Sequence, residues 1–146
     1  MDFLVIAVVF IVGGLLPVQT AVNAQLDAGW AHNPALTAFV SFFVGTVCLT
    51  VYLLLTRATI PSLPGSTAPW HWIGGAFGAA FVAILAFAIP RIGAGTAIAV
   101  ALAGQICLSL VLDHFGAIGL AERAVSPLRL LGGIMVLIGA VLVRKF

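Results

Sequence analysis

Five long apolar runs alternate with short polar or turn-rich segments along the chain. The runs fall at about residues 3–26, 34–56, 70–89, 92–113 and 127–143. A bilayer core about 30 Å thick is crossed by roughly 20 apolar residues in a helix, so each run predicts one transmembrane helix. The breaks carry matching punctuation. "HNP" at 32–34 and "IPSLPGSTAP" at 60–69 read as loops. Ser126-Pro127 reads as an N-cap followed by proline at the first helical position. Between the third and fourth runs only "PRIGAG" intervenes, which predicts a tight helical hairpin. Trp30, Trp70 and Trp72 fall at run ends, the place of interfacial aromatics.

Composition agrees. Of the 146 residues, 63% are hydrophobic and 7% charged, whereas soluble domains carry about 25% charged residues. The prediction is an all-α integral membrane protein, one transmembrane domain over 1–146. A net charge of +2, with no basic cluster beyond Arg144-Lys145, gives no footing for nucleic acid. Cys48 and Cys107 lie in apolar runs at no metal or redox spacing and read as small packing residues. "VNA" ending at Ala24 fits a cleavage pattern, but Asp2 precedes the apolar run and no Lys or Arg does. The first run is therefore expected to stay. No Ser/His/Asp set, paired carboxylates or metal cluster occurs, so neither an enzyme nor a metal or cofactor is expected.

An odd number of spans puts the termini on opposite sides. Loops on the N-terminal side carry Arg57, Arg123 and Arg129; those on the other side carry Arg91, Arg144 and Lys145. The tally is three against three, so the positive-inside rule selects no orientation. Two readings stand: chance in a small count, or dual topology, in which copies insert both ways and pair antiparallel. The second builds from one chain the inverted symmetry that many transporters encode as internal repeats.

Several spans carry polar or small residues. Gln19 and Asn23 are four apart and share a helix face. Pro17 leaves the Gly13 carbonyl without its helical donor, so Gly13-Gly14 and Pro17 predict a kinked or opened helix beside the two amides. Gln105 sits near the centre of the fourth span, after Gly104 and a turn before Ser109; Ser41 shares a face with Gly45 in the second. These groups either hold helices together by hydrogen bonds or line a path for a solute, since amides donate and accept without titrating. Asp27 ends the first span. Asp113-His114 ends the fourth and is the better candidate for coupling or gating, against the plainer reading of an interfacial acid. Arg91 could meet an anion or act as a snorkelling anchor. Gly74-x-x-x-Gly78 suits close packing of helices, and Gly132 and Gly139 suit either packing within the chain or a dimer seam.

"LLPVQTAVNAQL", "AFVSFFVGT", "PRIGAGTAIAVALAGQ" with "SLVLDHFG", and "SPLRLLGGIMVLIGAVLV" together resemble the YdcZ-like family over nearly the whole chain. That family consists of short five-span bacterial inner-membrane proteins within the drug/metabolite transporter superfamily. The resemblance implies an exporter of small metabolites or drugs, and its polar positions map here to Pro17, Gln19, Asn23, Gly104, Gln105, Asp113 and His114. Ten-span members of the superfamily look like two fused inverted halves, so this chain resembles a half-transporter that must dimerise. Small multidrug-resistance transporters, a sister family, carry a membrane-embedded glutamate in the first helix. The corresponding region here offers Gln19 and Asn23 instead, so the resemblance does not extend to their proton exchange.

The resulting expectation is an antiparallel homodimer in the lipid bilayer, working by alternating access on a small molecule. Gln19, Asn23, Gln105, Ser41 and Ser109 would bind substrate. Pro17, Asp113 and His114 would gate or couple, and Gly132 and Gly139 would pack the dimer. The alternatives are a non-transporting assembly subunit, one half of a heterodimer, or a passive channel.

Overall fold

The computed structural model describes residues 2–59 and 69–146. Most of the loop expected at 60–69 lies outside the described residues. Every regular element described is helical, and five stretches are long and apolar enough to cross a membrane: Phe3–Ala31, Pro34–Leu55, Trp70–Ile92, Ala94–Phe115 and Pro127–Lys145.

The first span is built in three pieces. Helix α1 (Asp2–Gly13) breaks at Gly14, whose N–H is shared between the carbonyls of Phe10 and Ile11 at 3.2 and 3.1 Å. Helix α2 (Leu15–Leu26) then carries Pro17 in its first turn, where proline is tolerated best. A π-helical turn, Asp27–Ala31, follows. It carries the span five residues beyond the expected end at Leu26, closing with the His32 N–H on the Asp27 carbonyl at 2.8 Å. His32 then adopts a left-handed conformation (φ 46°), which stops the helix.

Helix α3 (Pro34–Leu55) starts from an Asn33 cap, whose side-chain oxygen accepts from the N–H groups of Ala35 and Leu36. Helix α4 (Gly74–Ile92) runs through Pro90, three residues past the expected end. The Arg91 guanidinium folds back to donate to the Phe87 carbonyl and lies 3.5 Å from the centre of the Phe87 ring, so it caps the last turn. One residue, Gly93 at φ 81°, separates α4 from α5 (Ala94–Phe115). Helix α6 (Pro127–Lys145) begins at the Ser126 cap, whose hydroxyl accepts from the Arg129 N–H.

Two compact units result, residues 1–91 and 92–146. In the first, α2, the π turn and α3 pack together, burying Thr20, Asn23, Ala24, Thr37 and Ala38. A Cβ on Gly78 of α4 would meet the Phe42 ring of α3 at 3.0 Å, so this glycine permits a close helix approach. In the second, α5 and α6 form one extensive contact, and a Cβ on Gly133 of α6 would lie 3.0 Å from Leu110 of α5. Gly132 faces open space. Cys48 is exposed on α3 and Cys107 is half-buried, so neither is the fully enclosed packing residue expected. Most large apolar side chains point outward, as lipid-facing surfaces do.

The α5–α6 connection depends on Gly116. Its φ is +57°, and a Cβ there would meet the Leu120 carbonyl oxygen at 3.2 Å and Glu122 at 3.3 Å. Gly116→Ala is expected to cost about 1–2 kcal/mol for the left-handed backbone alone and to lower the melting temperature of the detergent-solubilised protein. Gly75→Ala, where nothing lies within 4 Å, should melt at or above the wild-type temperature. Equal loss in both variants would remove this account of the turn.

Candidate functional site

The polar residues gather at two places, one in each unit. In residues 1–91 the gathering is on one face of the first span. Thr20, Asn23 and Asp27 recur at three- and four-residue spacing and so project towards the same side. Thr20 is buried and directs its hydroxyl to the carbonyls of Leu16 and Pro17, both at 2.9 Å. Asn23 is 5% exposed, and its amide nitrogen has no hydrogen-bond partner. Asp27 is half-buried and accepts the hydroxyl of Thr37, which is 0% exposed, at 3.0 Å. That bond joins the π turn to α3. Ser41, half-buried, sits one turn beyond Thr37 on the same helix. Gln19, at the flank of this face, is exposed, as is Pro17.

The π turn explains why Asp27 belongs to this face. A helix ending at Leu26 would release the acid into the loop. The continued helix instead holds Asp27 inside the span, five residues from the loop that begins at His32. π turns are uncommon and occur often at functional sites.

In residues 92–146, Gln105 lies exposed in the middle of α5. Ser109 is exposed too and directs its hydroxyl to the Ile106 carbonyl of its own helix at 2.9 Å. Beside Gly104 is an open hollow of about 340 Å³, lined also by Val100, Ala103, Leu137 and Ala140. A second, almost wholly apolar groove of about 280 Å³ runs between α5 and α6, with Cys107, Leu110, His114 and Ile134 in its wall.

Asp113 and His114 are tied into a clasp. The Asp113 carboxylate pairs with the Arg129 guanidinium, and its backbone carbonyl accepts the Arg123 N–H at 2.7 Å. Arg129 also donates to the Arg123 carbonyl at 3.2 Å. His114 Nδ1 accepts the Val125 N–H at 3.3 Å, and its ring meets Phe115 edge-on. Each of these groups thus has a partner within the α5–α6 connection. The ion pair is partly solvated, at 28% exposure for Asp113 and 35% for Arg129, so its charge term is worth about 1 kcal/mol at most.

Sequence reasoning passed over Thr20 and Thr37, counted Arg129 only as a loop charge, and ranked Asp27, as an acid ending a span, below Asp113. Asp27 was accessible in principle, because Asn23-x-x-x-Asp27 is a same-face spacing. The Thr37 and Arg129 contacts join separate helices and leave no local pattern. Among the described residues no group of His, Cys, Asp or Glu is placed to hold a metal.

Five apolar spans with polar clusters inside them define a multi-pass membrane protein. The chain belongs to the YdcZ family: the family model described as "Putative inner membrane exporter, YdcZ" matches residues 4–142. It is accordingly an inner-membrane protein of a family described by export rather than by catalysis. No curated protein and no solved structure matches the chain.

Two substitutions separate the clusters. Asp113→Asn should lower stability by about 1 kcal/mol, and a double-mutant cycle with Arg129→Met should recover that value as coupling. Asn23→Leu removes an unpartnered buried donor, which costs about 1–3 kcal/mol when left unmade. Its melting temperature is therefore expected to rise. A fall comparable to that of Asp113→Asn would mean that Asn23 holds the fold together.

Proposed function

We propose that the chain exports small metabolites or drugs as an antiparallel homodimer working by alternating access. Gln19, Asn23, Gln105, Ser41 and Ser109 of both copies contribute to the solute path. Pro17 and the Gly14 break supply a place where the first span can move. The clasp of Asp113 and His114 acts as a gate, holding the end of the α5–α6 pair.

The observation that carries this reading is the exposure of Gln105 halfway along an apolar span. A side-chain amide facing hydrocarbon is unstable, so a second copy or a water-filled path is needed to cover it. Three further points agree. Gln19 is exposed in the same way. Gly132 has open space beside it, as a close approach by another helix requires. The basic residues divide evenly between the two sides, which permits both orientations.

Reporters fused to the C-terminus should be active on both sides of the membrane; activity on one side alone rejects the antiparallel pair. With Cys48 and Cys107 replaced, cysteines at Gly132 and Gly139 should cross-link between copies, and a dimer that never cross-links there has its seam elsewhere. In everted vesicles loaded with a labelled metabolite panel, Gln105→Leu should cut transport at least tenfold, equivalent to about 1.4 kcal/mol, while the protein stays dimeric. Unchanged transport would take Gln105 off the path.

A further inference from the structure

The polar face of the first span holds more chemistry than helix packing uses. Thr20 and Thr37 have committed their hydroxyl protons, the first to backbone carbonyls and the second to Asp27. Asn23 has not: its nitrogen is enclosed and unpartnered. Four residues on, the half-buried Asp27 carboxylate receives one neutral hydroxyl, and among the described residues no Lys, Arg or His pairs with it. Side chains at this spacing start about 5–6 Å apart on one helix face. What the face lacks is therefore specific. It needs a positive group with N–H donors for Asp27 and an oxygen acceptor for Asn23, about one helical turn apart. A carboxylate taken out of water is costly unless a cation joins it, and a buried donor is costly unless an acceptor does.

We infer that Asn23, Asp27 and Thr37 bind a small primary ammonium compound with an oxygen acceptor beside the ammonium group, as in a 2-amino alcohol or an α-amino carbonyl compound. The ammonium group donates to the Asp27 carboxylate. Thr37 donates to Oδ1, and the ligand's ammonium group meets Oδ2. The Asn23 amide donates to the ligand oxygen. Anions are repelled, neutral diols bring no charge, and quaternary ammonium ions bring no N–H. The assignment rests on the export reading only in treating this ligand as cargo; binding itself needs no transport. The same chemistry is carried by a free amine and by an aminophospholipid headgroup, because the site lies near one end of a span.

The test is titration calorimetry on the full chain in detergent, with ethanolamine as probe and ethylamine, ethylene glycol and acetate for comparison. Ethanolamine should bind saturably, ethylamine more weakly, and ethylene glycol and acetate not at all. Asp27→Asn should weaken ethanolamine at least tenfold. Asn23→Ala should cost ethanolamine about tenfold relative to ethylamine, one missing hydrogen bond's worth. If Asp27→Asn does not fold, Thr37→Val must weaken ethanolamine in its place. Absence of ethanolamine binding to the wild type, or equal binding by the folded Asp27 or Thr37 variant, overturns the proposal. Repeating the titration in phosphatidylglycerol nanodiscs with and without phosphatidylethanolamine separates the sources. Competition by the lipid assigns the site to a headgroup, and its absence assigns it to a free amine. Dimerisation and vesicle transport are read separately. Lost amine binding with both intact sinks this site alone, and intact binding without transport sinks the export reading alone.

Discussion

Inside a bilayer a polar group has no water to fall back on, and this single constraint organises the chain. Backbone groups are satisfied by making every span a helix. Where helices begin or end, side chains stand in for the missing turn, as Asn33 does for α3, Ser126 for α6 and Arg91 for the last turn of α4. Hydroxyls solve the same problem within their own helix: Thr46, Thr50 and Thr56 each donate to the carbonyl four residues earlier, at 2.8, 2.8 and 2.9 Å. Such local solutions cost little and constrain little. The informative groups are those for which no local solution is available.

The spans themselves were legible because hydropathy and length speak directly to that constraint. Their ends were legible where proline, asparagine or serine punctuates them, as at Pro34 and Pro127. The end of the first span was not. "DAGWA" contains an acid and a glycine, and a reading based on apolar pattern stops at Leu26. The five residues continue as a π turn because the His32 N–H reaches the Asp27 carbonyl and Thr37 holds the Asp27 side chain. Both are contacts that periodicity does not encode. Arg129 shows the same limit from the other direction. As a loop charge it counts towards membrane orientation, while its partner Asp113, sixteen residues earlier, becomes visible only once α5 and α6 pack.

Adjacent glycines make the point for packing. In sequence Gly132 and Gly133 are equivalent small residues at the start of the fifth span. In the folded unit a Cβ on Gly133 would meet Leu110 at 3.0 Å, whereas one on Gly132 would find open space. A small-residue motif records that a close approach is possible on some face. Which neighbour occupies that face is decided by helix rotation and packing, which residue spacing alone does not encode.

Pairing also separates groups that maintain the fold from groups free to act. In the α5–α6 connection the Asp113 carboxylate pairs with Arg129, its carbonyl accepts the Arg123 N–H, and His114 accepts the Val125 N–H, so these contacts stabilise the clasp and gain little from a ligand. On the first span Asn23 and Asp27 are answered only in part. Holding such a face in a membrane costs stability, and a bound solute offsets that cost by completing it. The stabilisation gained on binding is then largest at the face that is least satisfied when empty. The first span, broken at Gly14 and extended by its π turn, carries that face on the backbone least committed to a straight helix.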